Sequence, residues 1–200
     1  MHTVLAGFSL SLSLIVAIGA QNAFILKQGL QRQHVLWICL ICAFSDAILI
    51  SIGVFGLSLV IKVLPSIEWI MRYIGCLFLF CYGARSFWQS YLGTSVLSTN
   101  GDSQQSLKTT ILICLALTWL NPHVYLDTVL LMGSIANQYS GKQGYFALGA
   151  ISASFCFFFA LGYGARLLKP LFAKPISWRI LDFLIGVVMW LIAFSLIYKY

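Results

Sequence analysis

The chain has 200 residues, of which 60% are hydrophobic and 8% charged, and a formal net charge of +7. A soluble globular domain carries roughly a quarter charged residues, so this composition excludes one and describes an integral membrane protein. The positive charge is scattered over short loops, which excludes a nucleic-acid surface and makes it a topology signal.

Apolar runs of about 20 residues recur along the chain, the length that carries a helix across a bilayer. Helices rather than strands are expected, because such runs satisfy their own backbone in lipid. The expected fold is an all-α integral membrane protein with six transmembrane helices. The first covers about Thr3–Leu26, with a turn at Gln31–His34. Only His2 precedes its apolar run, which is also long for a signal peptide, so it reads as a retained helix. The second covers about Val35–Ile61 and the third about Ile67–Tyr91, with Pro65 marking the turn between them. The fourth covers about Thr109–Met132, the fifth about Tyr145–Leu168 and the sixth about Trp178–Tyr198, joined at Gly141–Gly144 and Lys169–Ser177.

All 200 residues form a single transmembrane domain. The connector 93–107, rich in Ser, Thr, Gly, Gln and Asn, divides it into half-repeats of about 1–92 and 108–200. Three spans per half give the halves opposite orientations, the arithmetic of a 3+3 inverted repeat of the kind many transporters use. With six spans, Lys27, Arg32, Arg85, Lys108, Arg166, Lys169, Lys174 and Arg179 fall on one side. Lys62, Arg72, Lys142 and Lys199 fall on the other. The richer side is expected in the cytoplasm, which places both termini outside.

Polar residues interrupt the first span of each half. Gly19-Ala-Gln-Asn22 combines a helix-loosening glycine with the amides of Gln21 and Asn22. Read alone, it fits a site equally well as the plain end of the span. Thr118-Trp-Leu-Asn-Pro-His-Val-Tyr-Leu-Asp127 is the stronger interruption. Pro122 removes a backbone donor, and freed backbone at membrane depth survives only inside protein or beside a watered cavity. An Asp at a helix centre costs roughly 2.5–3.5 kcal/mol. If the helix stayed regular, Asn121 and Tyr125 would share one face, and His123 and Asp127 another. Asp46, near the middle of the second span, is a second intramembrane acid, and such acids are functional by default. Asp182 reads as structural, three residues from Arg179 at a helix start. Ser152 and Ser154, among Gly149, Ala150 and Ala153, read as packing.

No catalytic set, metal-ligand spacing or phosphate-binding glycine loop is present, so neither an enzyme nor a cofactor is expected. Cys39-Leu-Ile-Cys42 is formally C-x-x-C but lies mid-helix, where cysteine is usually a small hydrophobe. Two alternatives remain: a membrane thiol oxidoreductase using Cys39 and Cys42, and a metal-cation exporter.

Asp46 and Asp127 come from different halves. Facing one cavity, they would make an acidic site for a cation. Cationic amino acids fit, with Gln and Asn amides and freed backbone holding the zwitterionic end. An inside-negative potential opposes cation exit by about 2.3 kcal/mol per charge per 100 mV. Exchange for one inward proton cancels that electrical term.

The same residues resemble the LysE/ArgO family of basic amino acid exporters. The likeness rests on Thr118–Asp127, Gly19-Ala-Gln-Asn-Ala-Phe24, Lys27-Gln-Gly29, Ser45-Asp46, Ala147–Ser154 and Gly186-Val-Val-Met-Trp190. It implies export of L-arginine or L-lysine across the bacterial inner membrane, driven by an ion gradient. One position departs from it: the family usually has Gly-Pro-Gln-Asn, and Ala20 stands in place of the proline. The expected substrate-binding set is Asp46, Asp127, Asn121, His123, Gln21, Asn22 and Tyr125, with helix breaks at Gly19 and Pro122. The expected partners are the substrate, protons and the lipid bilayer; a homo-oligomer is compatible with the sequence.

Overall fold

A computed structural model describes residues 1–16, 19–93 and 106–198, without the side chains of 57–72, 169, 173 and 198. The connector expected at 93–107 therefore lies almost wholly outside the described residues. Every regular element among them is helical. They are α1 (His2–Ile15), α2 (Ala20–Gln31), α3 (Val35–Leu92), α4 (Leu107–Trp119), α5 (Pro122–Ala136), α6 (Gln143–Gly164) and α7 (Pro175–Tyr198). A 3₁₀ segment, Ala165–Ala173, replaces most of the expected loop before α7. Val35–Gly56, Gln143–Leu168 and Pro175–Ile197 are each long and apolar enough to cross a membrane; counting each of two bent pairs as one span gives up to five.

The bent pairs are the two interrupted segments. α1 and α2 meet at 82°, and α4 and α5 at 57°. Ala20 in place of a proline therefore does not keep the first segment straight. Gly19 is extended there, with φ −118° and ψ 169°, and Asn121 is extended at the second break, with φ −94° and ψ 107°. At each break an extended residue immediately precedes the helix that restarts in another direction.

The helical backbone of α3 continues past Pro65, which itself donates no backbone hydrogen bond, so the turn expected there is not a loop. Contacts nevertheless show that α3 is not a rod. Fifty-eight residues of straight helix would span about 87 Å. Yet Ser45 bonds Trp119, and a Cβ on Gly75 would press on the Leu120 carbonyl. Val35 likewise lies close to Gly162, which neighbours Ile25 of α2, while Gln89 bonds Lys27 of α2. The chain therefore doubles back within α3, with its two arms side by side.

Residue registers give the direction of each helix. Cys42 meets Cys114 and Gly53 meets Val129, so the first arm of α3 runs parallel to α4–α5. Cys39 meets Phe158 and Asp46 meets Ser154, so that arm runs antiparallel to α6. Cys76 meets Ala193 and Ser90 meets Arg179, so the second arm runs antiparallel to α7. Gly7 lies beside Phe146 and Ala150, and Gly29 beside Gly162 and Ala165, so α1–α2 runs parallel to α6.

The main core lies between α2, both arms of α3, α4, α6 and α7, around Phe24, Ile38, Leu117, Phe158, Ile185 and Met189. Large apolar side chains such as Trp37, Phe44, Leu112 and Leu191 face outward. That distribution suits a lipid solvent.

Close packing depends on small residues, because lipid supplies no hydrophobic drive between helices. A Cβ on Gly7 would lie 2.0 Å from the Phe146 carbonyl oxygen, and one on Gly149 would lie 1.9 Å from that of Val4. Gly149, in the same small-residue stretch as Ser152 and Ser154, thus packs closely against α1. We expect Gly7→Val to destabilise the detergent-solubilised protein by about 2 kcal/mol or more, since overpacking typically costs 1–3 kcal/mol. Gly144→Ala, with nothing within 4 Å of the new Cβ, should leave the thermal melt nearly unchanged.

Candidate functional site

A cavity of about 330 Å³ lies where the two breaks meet. This is near the lower end of the roughly 300–1,000 Å³ typical of small-molecule pockets. Its polar wall comprises Gly19, Gln21 and Asn22 from the first break, Asn121, His123, Asp127 and Thr128 from the second, and Asp46 from α3. Leu14, Ile15, Phe158 and Ile192 contribute much of the apolar wall.

Each break is stitched by side chains. Asn22 Nδ2 donates to the Ile15 carbonyl at 2.6 Å, tying α2 back to the end of α1. Asn121 Oδ1 accepts from the His123 amide at 3.2 Å, an N-cap for α5, and Pro122 occupies the first helical position, where no donor is needed. Tyr125 Oη donates to the Trp119 carbonyl at 2.9 Å, and Trp119 Nε1 donates to Ser45 Oγ at 3.1 Å. Tyr125 thus braces the break and does not line the cavity, unlike the role expected for it. Pro122 is buried and also contributes no wall.

The structure brings the remaining expected residues together. The regular-helix reading set Asn121 on a different face from His123 and Asp127. The break at Asn121 and a π-helical stretch, Tyr125–Leu131, bring them to one wall. Wide π turns recur at functional sites and shift the angular position of the residues beyond them.

Asp46 is 4% exposed, and Ser154 Oγ donates to its Oδ2 at 3.1 Å. Ser154 was legible in the sequence only as a packing residue; no local pattern announces a hydroxyl aimed at another helix. His123 Nε2 lies 3.2 Å from Ser195 Oγ on α7. Gln21 Nε2 is buried without a well-placed acceptor among the described residues, with the Cys42 thiol as a polar neighbour. Gly19 and Ala20, at the start of α2, also line the cavity, and a helix's first amides have no acceptor within the helix itself. The site therefore offers two carboxylates together with a helix N-terminus and an amide donor. It suits a molecule that is cationic at one end and anionic at the other.

A second polar cluster lies farther along α2. Lys27 Nζ contacts Asp182 Oδ1 at 2.5 Å and Gln89 Oε1 at 3.0 Å. Arg179, the partner expected for Asp182, instead donates to the carbonyls of Ser90 and Tyr91 at the end of α3. The i,i+3 spacing favours a local pair, but those unpaired helix-end carbonyls compete for the guanidinium.

The thiols do not form the expected alternative centre. Cys39 Sγ donates to the Phe158 carbonyl, and Cys42 Sγ lies 3.1 Å from Cys114 Sγ, so the two C-x-x-C thiols are engaged elsewhere. Among the described residues, no group of three or more His, Cys, Asp or Glu is placed to hold a metal ion.

Comparison with known proteins gives the same direction. A family model described as "LysE type translocator" matches residues 12–200. The chain is 42% identical over 193 residues to a protein of Yersinia enterocolitica named "Arginine exporter protein ArgO", covering 96% of this chain and 94% of that one. Proteins of the same name from Salmonella typhimurium (42% over 191 residues, 95% and 90% covered) and Serratia proteamaculans (40% over 196 residues, 98% and 96% covered) are similar throughout. No solved structure matches.

The Asn121 cap gives a direct test of the second break. Asn121→Ala should cost about 1 kcal/mol of stability, read by thermal unfolding in detergent, and Asn121→Asp should retain most of it.

Proposed function

The chain belongs to the LysE-type translocators, a transporter and not an enzyme, and from that premise we propose that it exports L-arginine, and L-lysine with it, across the bacterial inner membrane in exchange for protons. The observation that carries this reading is the convergence of Asp46 and Asp127, one from each half of the chain, with both helix breaks on a single cavity. The names of the similar exporters support arginine as the substrate.

In this reading the α-carboxylate sits at the start of α2. Half-helix N-termini at membrane depth commonly hold such groups, and the carboxylate would supply an acceptor for Gln21 Nε2. The side-chain cation extends toward Asp46 and Asp127. A bidentate guanidinium–carboxylate pair is stronger than a point contact from an ammonium, which favours arginine over lysine. A carboxylate buried in this wall is costly to leave charged and unpaired. It therefore holds the substrate cation or a proton in turn, and inward proton movement offsets the electrical work of exporting a positive charge.

The architecture is read as six crossings. The arms of α3 count as two, and the registers then alternate along the chain: up, down, up in the first half and down, up, down in the second. The halves are inverted relative to one another, and each opens with a broken span. Lys27 and Arg179 gather at one end with the end of α3, and the positive-inside rule assigns that end to the cytoplasm.

Proteoliposomes loaded with arginine should take up radiolabelled arginine by counterflow, and an imposed pH gradient should drive net arginine movement. Lysine should exchange more slowly. Asp46→Asn and Asp127→Asn should each reduce the rate by about tenfold or more, corresponding to roughly 1.4 kcal/mol or more of lost interaction. Arginine movement unchanged in the double Asn variant would refute the assignment, and indifference to the pH gradient would refute proton exchange.

A further inference from the structure

We propose that the Lys27–Asp182 ion pair, with Gln89 against it, is the latch of a gate that closes one end of the pathway and parts during each transport cycle. This rests on the transport reading above and adds a moving part to it. α2 begins in the cavity wall at Gly19–Asn22 and continues away from it. Lys27 lies five residues beyond Asn22, about 7.5 Å farther along a helix. Between them sit Phe24 and Ile25, both almost wholly buried, with the Phe24 ring edge-on to Tyr82 at 6.3 Å. Below the cavity comes an aromatic layer, and below that the ionic one.

The three partners of the ionic layer belong to three elements, α2, α3 and α7, and to both halves of the chain. Lys27 is 7% exposed and Asp182 0%. Opening this end to solution requires α2 to part from α7, and these are the contacts that must break. α2 is already set off from α1 by the 82° bend, so it can swing about Gly19 without unwinding a continuous helix.

The choice of an ion pair supports a moving contact over a fixed staple. A permanently buried pair is often matched or bettered by apolar residues of similar volume, and apolar residues dominate the neighbouring core. A contact that is alternately dry and wet has a different requirement. Separated charges recover hydration when water enters, whereas separated apolar faces are left exposed. An ion pair therefore holds the closed state without making the open one prohibitive.

The test uses the full-length protein in proteoliposomes and a substrate that the unmodified protein carries. Failure of the substrate reading thus appears in the unmodified protein, and failure of the latch only in the variants. In Lys27→Cys/Asp182→Cys, a short bis-methanethiosulfonate linker should lower counterflow at least tenfold, and reduction should restore it. The unmodified protein, treated identically, corrects for native thiols. Undiminished counterflow in fully cross-linked protein overturns the proposal. Gln89→Cys retains both charges and provides a second readout should the double variant fold poorly. A membrane-impermeant maleimide should label it several-fold faster during counterflow than without substrate, and a labelling rate indifferent to substrate equally overturns the latch.

Discussion

Backbone at membrane depth must find its hydrogen bonds inside the protein, and the rest of this structure depends on how two helix breaks meet that demand. Each unsatisfied group in an apolar medium costs several kcal/mol. At the first break, the Asn22 amide returns to the Ile15 carbonyl. At the second, Asn121 caps the new helix, Pro122 has no donor to satisfy, and Tyr125 reaches back to the Trp119 carbonyl. The groups left over point at a cavity. Polar residues that first stand out as misplaced in lipid are thus either braces for the breaks or the wall they create.

This division explains which features were legible in the sequence. Apolar run length marked the helices, and Pro122 and Gly19 marked the breaks, because both signals are local. Asp46, Asp127, Gln21, Asn22, Asn121 and His123 stood out because polar groups in apolar runs are rare, and the cavity gathers them. Tyr125 stood out for the same reason but serves the backbone, since rarity does not say which neighbour a side chain bonds. Ser154 was hidden because a serine in a small-residue stripe looks the same whether it packs or donates. The Lys27–Asp182 pair spans 155 residues of sequence separation, and nothing local connects its members. The return of the chain within α3 is visible only through the contacts of its two arms.

The electrostatic arrangement is economical. Among the described side chains, the membrane-embedded acids are Asp46 and Asp127 at the cavity and Asp182 beside Lys27. Breaking a buried pair by removing one member typically costs about 3–5 kcal/mol, so Asp182 and Lys27 depend on one another. Asp46 has a hydroxyl donor but, among the described residues, no basic side chain bonded to it. Asp182 is thus paired with a lysine from within the chain, while Asp46 at the cavity has a neutral hydroxyl for a partner.

The π-helical stretch Tyr125–Leu131 has a consequence beyond bringing Asp127 into the wall. A wide turn advances the chain through a smaller angle per residue than an α-helix, so the segment acts as a phase shifter. Met132 and Gly133, just beyond it, are buried, and Val129 within it lies against Gly53 of α3. The azimuth at which this end of α5 docks is therefore set upstream, by the number of residues in the wide turn. Length matching alone does not specify this span. Two sequences of equal hydrophobic length, one with the wide turn and one without, would cross the same bilayer while presenting different faces to the cavity and to α3.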